Sequence, residues 1–270
     1  VSTTQSPHDP EKLRDLAVAV AAEAGELAAK GQEGITVLET KSSPTDVVTE
    51  MDRATEDLIR DRLLAARPDD AVLGEEGGGA DGTSGVRWVV DPIDGTVNYL
   101  YGSPDWGVAV GAEIDGVVVA AAVHLPLHRQ MFDAVLGGGS RLDGRALRAP
   151  EAVPLDRALV ATGFGYFPER RLQQARVLTG VIPHIRDIRR GGSAAVDITG
   201  MATGRYNAYY ERGLHLWDWA APGLVASEAG LRVGGLHGGP PGNDLVIVAR
   251  PGLYEQLDAL LAPLGADTDA

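Results

Sequence analysis

Apolar residues recur at intervals of three and four through Leu13, Leu16, Val20, Ala24 and Leu27, which predicts one buried face of a helix. Asp9 and Pro10 supply its start, as cap and first-turn proline, and Gly31 and Gly34 supply its stop. Thr49 opens a second predicted helix, with Met51, Ala54, Leu58 and Leu63 toward the core and Pro68 beyond its end. From Ala71 the period changes. A short apolar run over 71–73 stops at Gly74, and the glycines of 77–79 and 82–85 predict a mobile loop. Residues 88–90 read as a buried strand that ends at Asp91. Runs over 106–112, 117–124 and 130–135, parted by turn signals such as Asp115-Gly116, predict successive antiparallel strands.

The second half alternates more regularly. Strands are predicted over 158–161, 206–210 and 245–249, and helices over 169–179, 192–201, 218–229 and 253–261. The helix over 192–201 is built of small residues, and Gly230 ends the helix over 218–229. Strands and helices mixed throughout predict a layered α/β protein. A single domain over 1–270 is expected, divisible into two subdomains, about 9–145 and 150–265, around a shared cleft, with no repeat or low-complexity block.

Composition narrows the function classes. Hydrophobic residues make up 44% of the 270, enough for a substantial core. The net charge of −14 opposes direct nucleic-acid binding, and no basic cluster exceeds Arg186, Arg189 and Arg190. There is no cysteine, which excludes disulfides, thiolate nucleophiles and cysteine–zinc sites. No run approaches the ~18 apolar residues of a membrane span. The polar first residues lack the pattern of a signal peptide, so a disordered tail and a cytoplasmic location are expected.

The segment Asp91-Pro92-Ile93-Asp94-Gly95-Thr96 carries the most chemistry. Two carboxylates follow a buried strand, Pro92 stiffens the turn, and the Ile93 carbonyl sits between them. Gly95 permits close backbone approach, and Thr96 opens a short helix whose free N–H groups attract phosphate. Hard oxygen ligands beside a phosphate cradle describe a magnesium site. The plainer alternative is a polar turn in which Asp94 caps a helix.

Other acidic positions are ambiguous when taken singly. Glu75-Glu76 reads more readily as a solvated acidic loop than as a metal ligand. Thr49 and Asp52 approximate a capping box, which fits a helix start as well as it fits catalysis. Asp218 reads first as a helix cap, with Pro222 supporting a helix that begins there. His124, His128, His184 and His215 have no metal-ligand spacing, and Gly137-Gly138-Gly139 reads as a turn.

Taken together, the segments resemble the inositol monophosphatase family. The elements are Lys41-Ser42-Ser43-Pro44-Thr45-Asp46, Thr49 with Asp52, Gly74-Glu75-Glu76, and Trp88 through Thr96 with Asn98. Arg190-Gly191-Gly192-Ser193-Ala194-Ala195, Tyr209-Tyr210-Glu211, Trp217-Asp218 and Glu228-Ala229-Gly230 follow in family order. Two departures are Pro222, where Gly or Ala is usual, and Leu231, where a second Gly is common. Both leave helix packing open to question rather than chemistry.

The resemblance implies an αβαβα sandwich and a homodimer inhibited by lithium. It implies two to three magnesium ions held by Glu75, Asp91, Asp94, Asp218 and the Ile93 carbonyl. It makes Asp52, Thr96 and Glu75 catalytic, with Asp52 and Thr96 positioning water, and gives phosphate to the backbone of Gly95 and Thr96. It assigns polyol hydroxyls to Asp94, Ala194 and Glu211. The expected substrate is a small phosphorylated polyol, inositol monophosphate first. Histidinol phosphate, fructose 1,6-bisphosphate and nucleotide 3′-phosphates are rivals on the same fold. A non-catalytic partner of the transcription machinery is the rival of another class.

Overall fold

The structure, a computed structural model, describes residues 8–35, 37–40, 47–77 and 79–269. The N-terminal residues expected to be a disordered tail, the 41–46 motif and Gly78 of the glycine-rich run lie outside them.

Helix α1 (Pro10–Gly31) starts where its signals place it, with the Asp9 side chain accepting from the Glu11 amide. Such a cap stabilises a helix by about 1 kcal/mol. The buried stripe runs through Leu13, Ala17, Val20, Ala21, Ala24 and Ala28, while Leu16 and Leu27 stand only half-buried at its margins. Small alanines let α1 lie close on a sheet, so the stripe follows them rather than every leucine. Strands β1 (Val37–Thr40) and β2 (Val47–Thr49) pair antiparallel and lead into α2 (Glu50–Ala66). Ala54 is exposed on α2, contrary to expectation, and Asp52, Thr55 and Glu56 are buried with Ile59 and Leu63. The inward face of this helix is polar over its first two turns, where Asp52 takes donors from Thr49 and Thr96 and Glu56 takes the Glu76 amide.

A seven-stranded sheet follows: β3 (Ala71–Gly74), β4 (Val86–Asp94), then, after the single turn α3 (Thr96–Leu100), β5 (Gly107–Ile114), β6 (Val117–Leu125), β7 (Gln130–Val135), β8 (Gly139–Leu142) and β9 (Arg145–Leu147). The strands lie in chain order. All neighbours are antiparallel except β3 and β4. Strand β5 is buried on both faces, so its apolar run is continuous rather than alternating.

The second sheet holds β10 (Leu159–Thr162), β11 (Asp187–Arg189), β12 (Ala208–Glu211), β13 (Arg232–Gly234) and β14 (Val246–Ala249), in the order β11-β10-β12-β14-β13. Between them in sequence run α4 (Pro168–Val181), α5 (Ala194–Ala202) and α6 (Leu216–Glu228), and α7 (Leu253–Leu261) follows β14. Helices α1 and α2 cover the outer face of the large sheet, α5 and α6 lie between the two sheets, and α4 and α7 cover the far side. This is the expected αβαβα sandwich. Every residue of α5 is buried, as expected of a helix between two sheets, and all but Asp197 and Thr199 are apolar or glycine. Helix α6 begins at Leu216, so Pro222 lies inside it rather than at its start. The helix still runs to Glu228, and Leu231 packs into the core beyond it. Among the described residues, no helix is long and apolar enough to cross a membrane.

Candidate active site

The acidic floor of the site depends on a defect in β4. Side chains three apart on a regular strand point to opposite faces. Asp91 pairs with Ala109 and Asp94 with Gly107, so β4 spends one residue more than β5 across this stretch. That bulge turns both carboxylates to one side. Pro92 sits inside it, where its missing N–H leaves no ladder partner unsatisfied. The strand thus continues through the motif, where the sequence predicted its end at Asp91. Beyond it, Gly95 takes a φ of 94°, and a Cβ there would meet the Ser193 Cβ at 3.0 Å. Only glycine combines that conformation with so close an approach to α5.

Asp91, Asp94 and Asp218 each offer an oxygen within 4.8 Å of the others. Asp91 Oδ1 accepts from the Ile93 amide at 3.1 Å. Asp94 does not cap its own short helix, whose cap is Gly95; instead Asp94 Oδ2 accepts from Ser193 Oγ and the Ala195 amide at the start of α5, both at 2.5 Å. Asp218 sits in the first turn of α6, behind His215 at the cap, and accepts from the His215 amide at 2.6 Å. Neither aspartate is itself the cap the sequence suggested: Asp94 braces the start of α5 and Asp218 is the third helical residue of a capping box, and each still turns an oxygen to the cluster. Glu75 stands on the turn after β3 and lines the same cleft.

Burial pushes the Asp91 carboxyl well up, and Glu75, Asp94 and Asp218 add like-charge repulsion. Asp218 is likewise raised well above the ordinary range, by burial and then by Glu75 and Asp94. Asp94 is raised by burial against the opposing pull of its donors at Ser193 and Ala195. Among the described residues no lysine or arginine ion-pairs with these three aspartates. A cluster of hard oxygen donors whose ionisation is opposed by burial and mutual repulsion fits a divalent cation such as magnesium.

Asp52 and Thr96 meet above this floor. Asp52 Oδ2 accepts from the Thr49 amide at 2.7 Å and the Thr49 hydroxyl at 2.5 Å, and Asp52 closes a capping box on α2. Asp52 Oδ1 lies 3.1 Å from Thr96 Oγ1, which is also 3.2 Å from the Ile93 carbonyl. Burial raises the Asp52 carboxyl despite these donors, and Glu76 adds repulsion. Ala194 and Glu211 line the same cleft. The Tyr209 hydroxyl donates to Glu211 Oε2 at 2.6 Å, and burial pushes Glu211 up to about 7.

The cleft encloses about 430 Å³ and contains Glu75, Asp91, Ile93, Asp94, Gly95, Thr96, Ala194, Glu211 and Asp218. Asp52 stands behind it, reached through Thr96. Several lining residues carried no sequence signal: Phe164, Tyr166, Phe167 and Arg170 all follow β10, whereas Arg190, just before α5, belongs to a motif the sequence already offered. Ser193 was legible only as part of its motif. The histidines hold no metal-like cluster among the described residues: His124 bonds the Ala21 carbonyl and His128 bonds Asp105.

A family model described as the inositol monophosphatase family matches residues 9–266. The chain is similar to the inositol-1-monophosphatase of Mycobacterium bovis, at 44% identity with 96% of each chain covered. It is similar to the Nus factor SuhB of Escherichia coli at 36% identity, covering 84% of this chain and 86% of that one. Among solved structures, Mycobacterium tuberculosis SuhB superposes with a TM-score of 0.81 at 40% identity, covering 96% of this chain and 99% of that one.

Proposed function

The chain belongs to the inositol monophosphatase family and is a phosphatase, and from that premise we propose that it hydrolyses inositol monophosphate to inositol and phosphate with the help of magnesium. The observation that carries this reading is the meeting of Asp91, Asp94 and Asp218 within 4.8 Å. In this reading those three, with Glu75 and the Ile93 carbonyl, hold two to three ions. When bound, such ions supply charge neutralisation for the phosphate and acidity for the attacking water.

The remaining work is the chain's own. The Thr96 proton is committed to Asp52 or the Ile93 carbonyl, which leaves the threonine oxygen free to accept from a water. Asp52, whose buried carboxyl holds protons more tightly than usual, takes up the proton that the water loses. The Gly95 and Thr96 amides lead into α3 and have no helical acceptors, so they receive phosphate oxygens where charge develops. Glu211 accepts hydrogen bonds from adjacent polyol hydroxyls, with Asp94 and Ala194 beside it. Two subdomains, one around each sheet, share this cleft. Homodimeric assembly, lithium inhibition and a cytoplasmic location belong to the same reading on the strength of the family.

The test is phosphate release from inositol 1-phosphate, histidinol phosphate and fructose 1,6-bisphosphate, with and without magnesium. Magnesium-dependent turnover that prefers the inositol ester supports the proposal. Preference for another ester keeps the carboxylate chemistry and moves the substrate. The 36% identity to the Nus factor SuhB of Escherichia coli favours one second reading, a non-catalytic partner of the transcription machinery. Capture of that machinery by an inactive Asp94→Asn variant would support it, because such a role survives loss of turnover.

A further inference from the structure

Asp91 and Asp94 stand on a strand and Asp218 on a helix, but Glu75 stands on a turn. Its position therefore depends on whatever fixes that turn. Glu56, on α2, is only 2% exposed, and its Oε2 accepts from the Glu76 amide at 2.7 Å. A carboxylate so deeply buried is costly unless it is hydrogen-bonded, so the contact is strongly specified. Gly74 makes room for it: a Cβ there would lie 2.4 Å from Glu56 Cδ and Oε2. On the far side, Ala80 and Val72 exchange two backbone hydrogen bonds of 2.9 Å, which returns the loop to β3. The Glu56 carboxylate thus abuts the amide of the residue that follows Glu75.

Helix geometry ties this contact to Asp52. The two residues are four apart, so they share one face of α2 a single turn from each other. One turn of helix sets both the Thr96–Asp52 pair and the Glu75 turn.

We propose that Glu56 is a positioning residue: it holds the Glu75–Glu76 turn and thereby sets the affinity of the cleft for magnesium. This rests on the metal reading given under the proposed function. Groups behind a metal ligand tune affinity by orienting it, and their loss typically costs about tenfold to 100-fold.

The experiment is titration calorimetry of magnesium binding to the full chain, alongside the magnesium concentration needed for half-maximal turnover. Glu56→Ala removes the acceptor. Gly74→Ala pushes the carboxylate off the Glu76 amide while leaving its charge in place. Each is expected to weaken magnesium binding about tenfold. The double variant should be little worse than either single one, since both act through one hydrogen bond. Glu56→Gln, which retains an acceptor oxygen, should recover most of the affinity. Wild-type affinity in folded Glu56→Ala or Gly74→Ala would overturn the proposal, and so would a double variant whose losses simply add. If Glu56→Ala fails to fold, Gly74→Ala and Glu56→Gln carry the test. A wild-type chain that binds no magnesium defeats the metal reading itself, and Glu56's role in it. Normal wild-type binding with indifferent variants defeats only the role of Glu56.

Discussion

Thr96 and Asp52, 44 residues apart, meet at 3.1 Å through the threonine hydroxyl and Asp52 Oδ1. The other oxygen of the same carboxylate closes the capping box of α2 through Thr49. One buried side chain is thus fully engaged, with local donors on one oxygen and a distant one on the other. Such saturation is what makes a completely buried carboxylate tolerable.

Asp52→Asn keeps the shape of that side chain and removes its capacity to take a proton. Turnover of the proposed substrate should fall by about 10²–10⁴, with little change in KM. The cap weakens as well, by about 1 kcal/mol, because the amide presents one oxygen where the carboxylate had two. Steady-state kinetics with a melting curve separate the two effects. A variant with near-normal turnover would remove Asp52 from the chemistry and leave it as a cap.

Asp94 ties the acidic floor of the cleft to α5 through Ser193 and Ala195. A ligand that binds only the folded state raises the melting temperature as its concentration rises. Magnesium should therefore stabilise the wild-type chain, and Asp94→Asn should abolish that response together with most turnover. Ser193→Ala should cost about 1 kcal/mol through the lost helix cap and leave a weakened magnesium response. Equal magnesium-induced shifts in wild type and Asp94→Asn would exclude Asp94 as a ligand.

Glu211 offers its carboxylate to the cleft beyond the aspartate cluster, held by the Tyr209 hydroxyl. If it accepts polyol hydroxyls, Glu211→Ala should raise KM for inositol 1-phosphate by about tenfold or more, the cost of a charged hydrogen bond. The same variant should handle an aryl phosphate, which has no hydroxyls to offer, much as wild type does. Equal losses on both esters would place Glu211 in a general electrostatic role instead.

Several of these relationships were legible in the chain and others were not, for physical reasons. The Asp91-to-Thr96 segment announces itself because carboxylates, proline and glycine in that order have few purely structural uses. Its bulge is silent, since a bulge is set by the pairing partner and not by the strand alone. Ala54 departs from the expected inward face of α2 because periodicity equates buried with apolar, and this face buries Asp52, Thr55 and Glu56 alongside Ile59 and Leu63. Strands β8, β9, β11 and β13 span three or four residues at or near sheet edges, too short for alternation to register. Phe164 and Arg170 reach the cleft only because β10 ends beside β12, a pairing between residues about 48 apart in sequence.

Asp197 supplies a prediction about stability. It lies inside α5, is 1% exposed, and its Oδ1 is buried without a hydrogen-bond partner among the described residues. Burial, with repulsion from Glu211 and Asp94, pushes its carboxyl from 3.8 up to about 7, against the opposing Tyr206 hydroxyl and Gly191 amide. Below about pH 4 the folded and unfolded chains both hold the proton, so this group makes no difference to stability. As pH rises toward 7 the unfolded chain has released the proton while the folded chain retains it. The group therefore destabilises the fold progressively, and the effect is complete above the folded value, with a limit of about 4 kcal/mol. Asp197→Asn removes the titration while preserving shape. Denaturant unfolding of both chains, with a chelator present so that cation binding does not intrude, should show a gap in favour of the variant that widens from about pH 4 to about pH 8. Adding magnesium should narrow the gap, because a cation beside Asp94 relieves part of the repulsion that raises Asp197. A gap that stays constant with pH would mean that Asp197 is ionised in both states, and that α5 tolerates a buried charge next to the cleft.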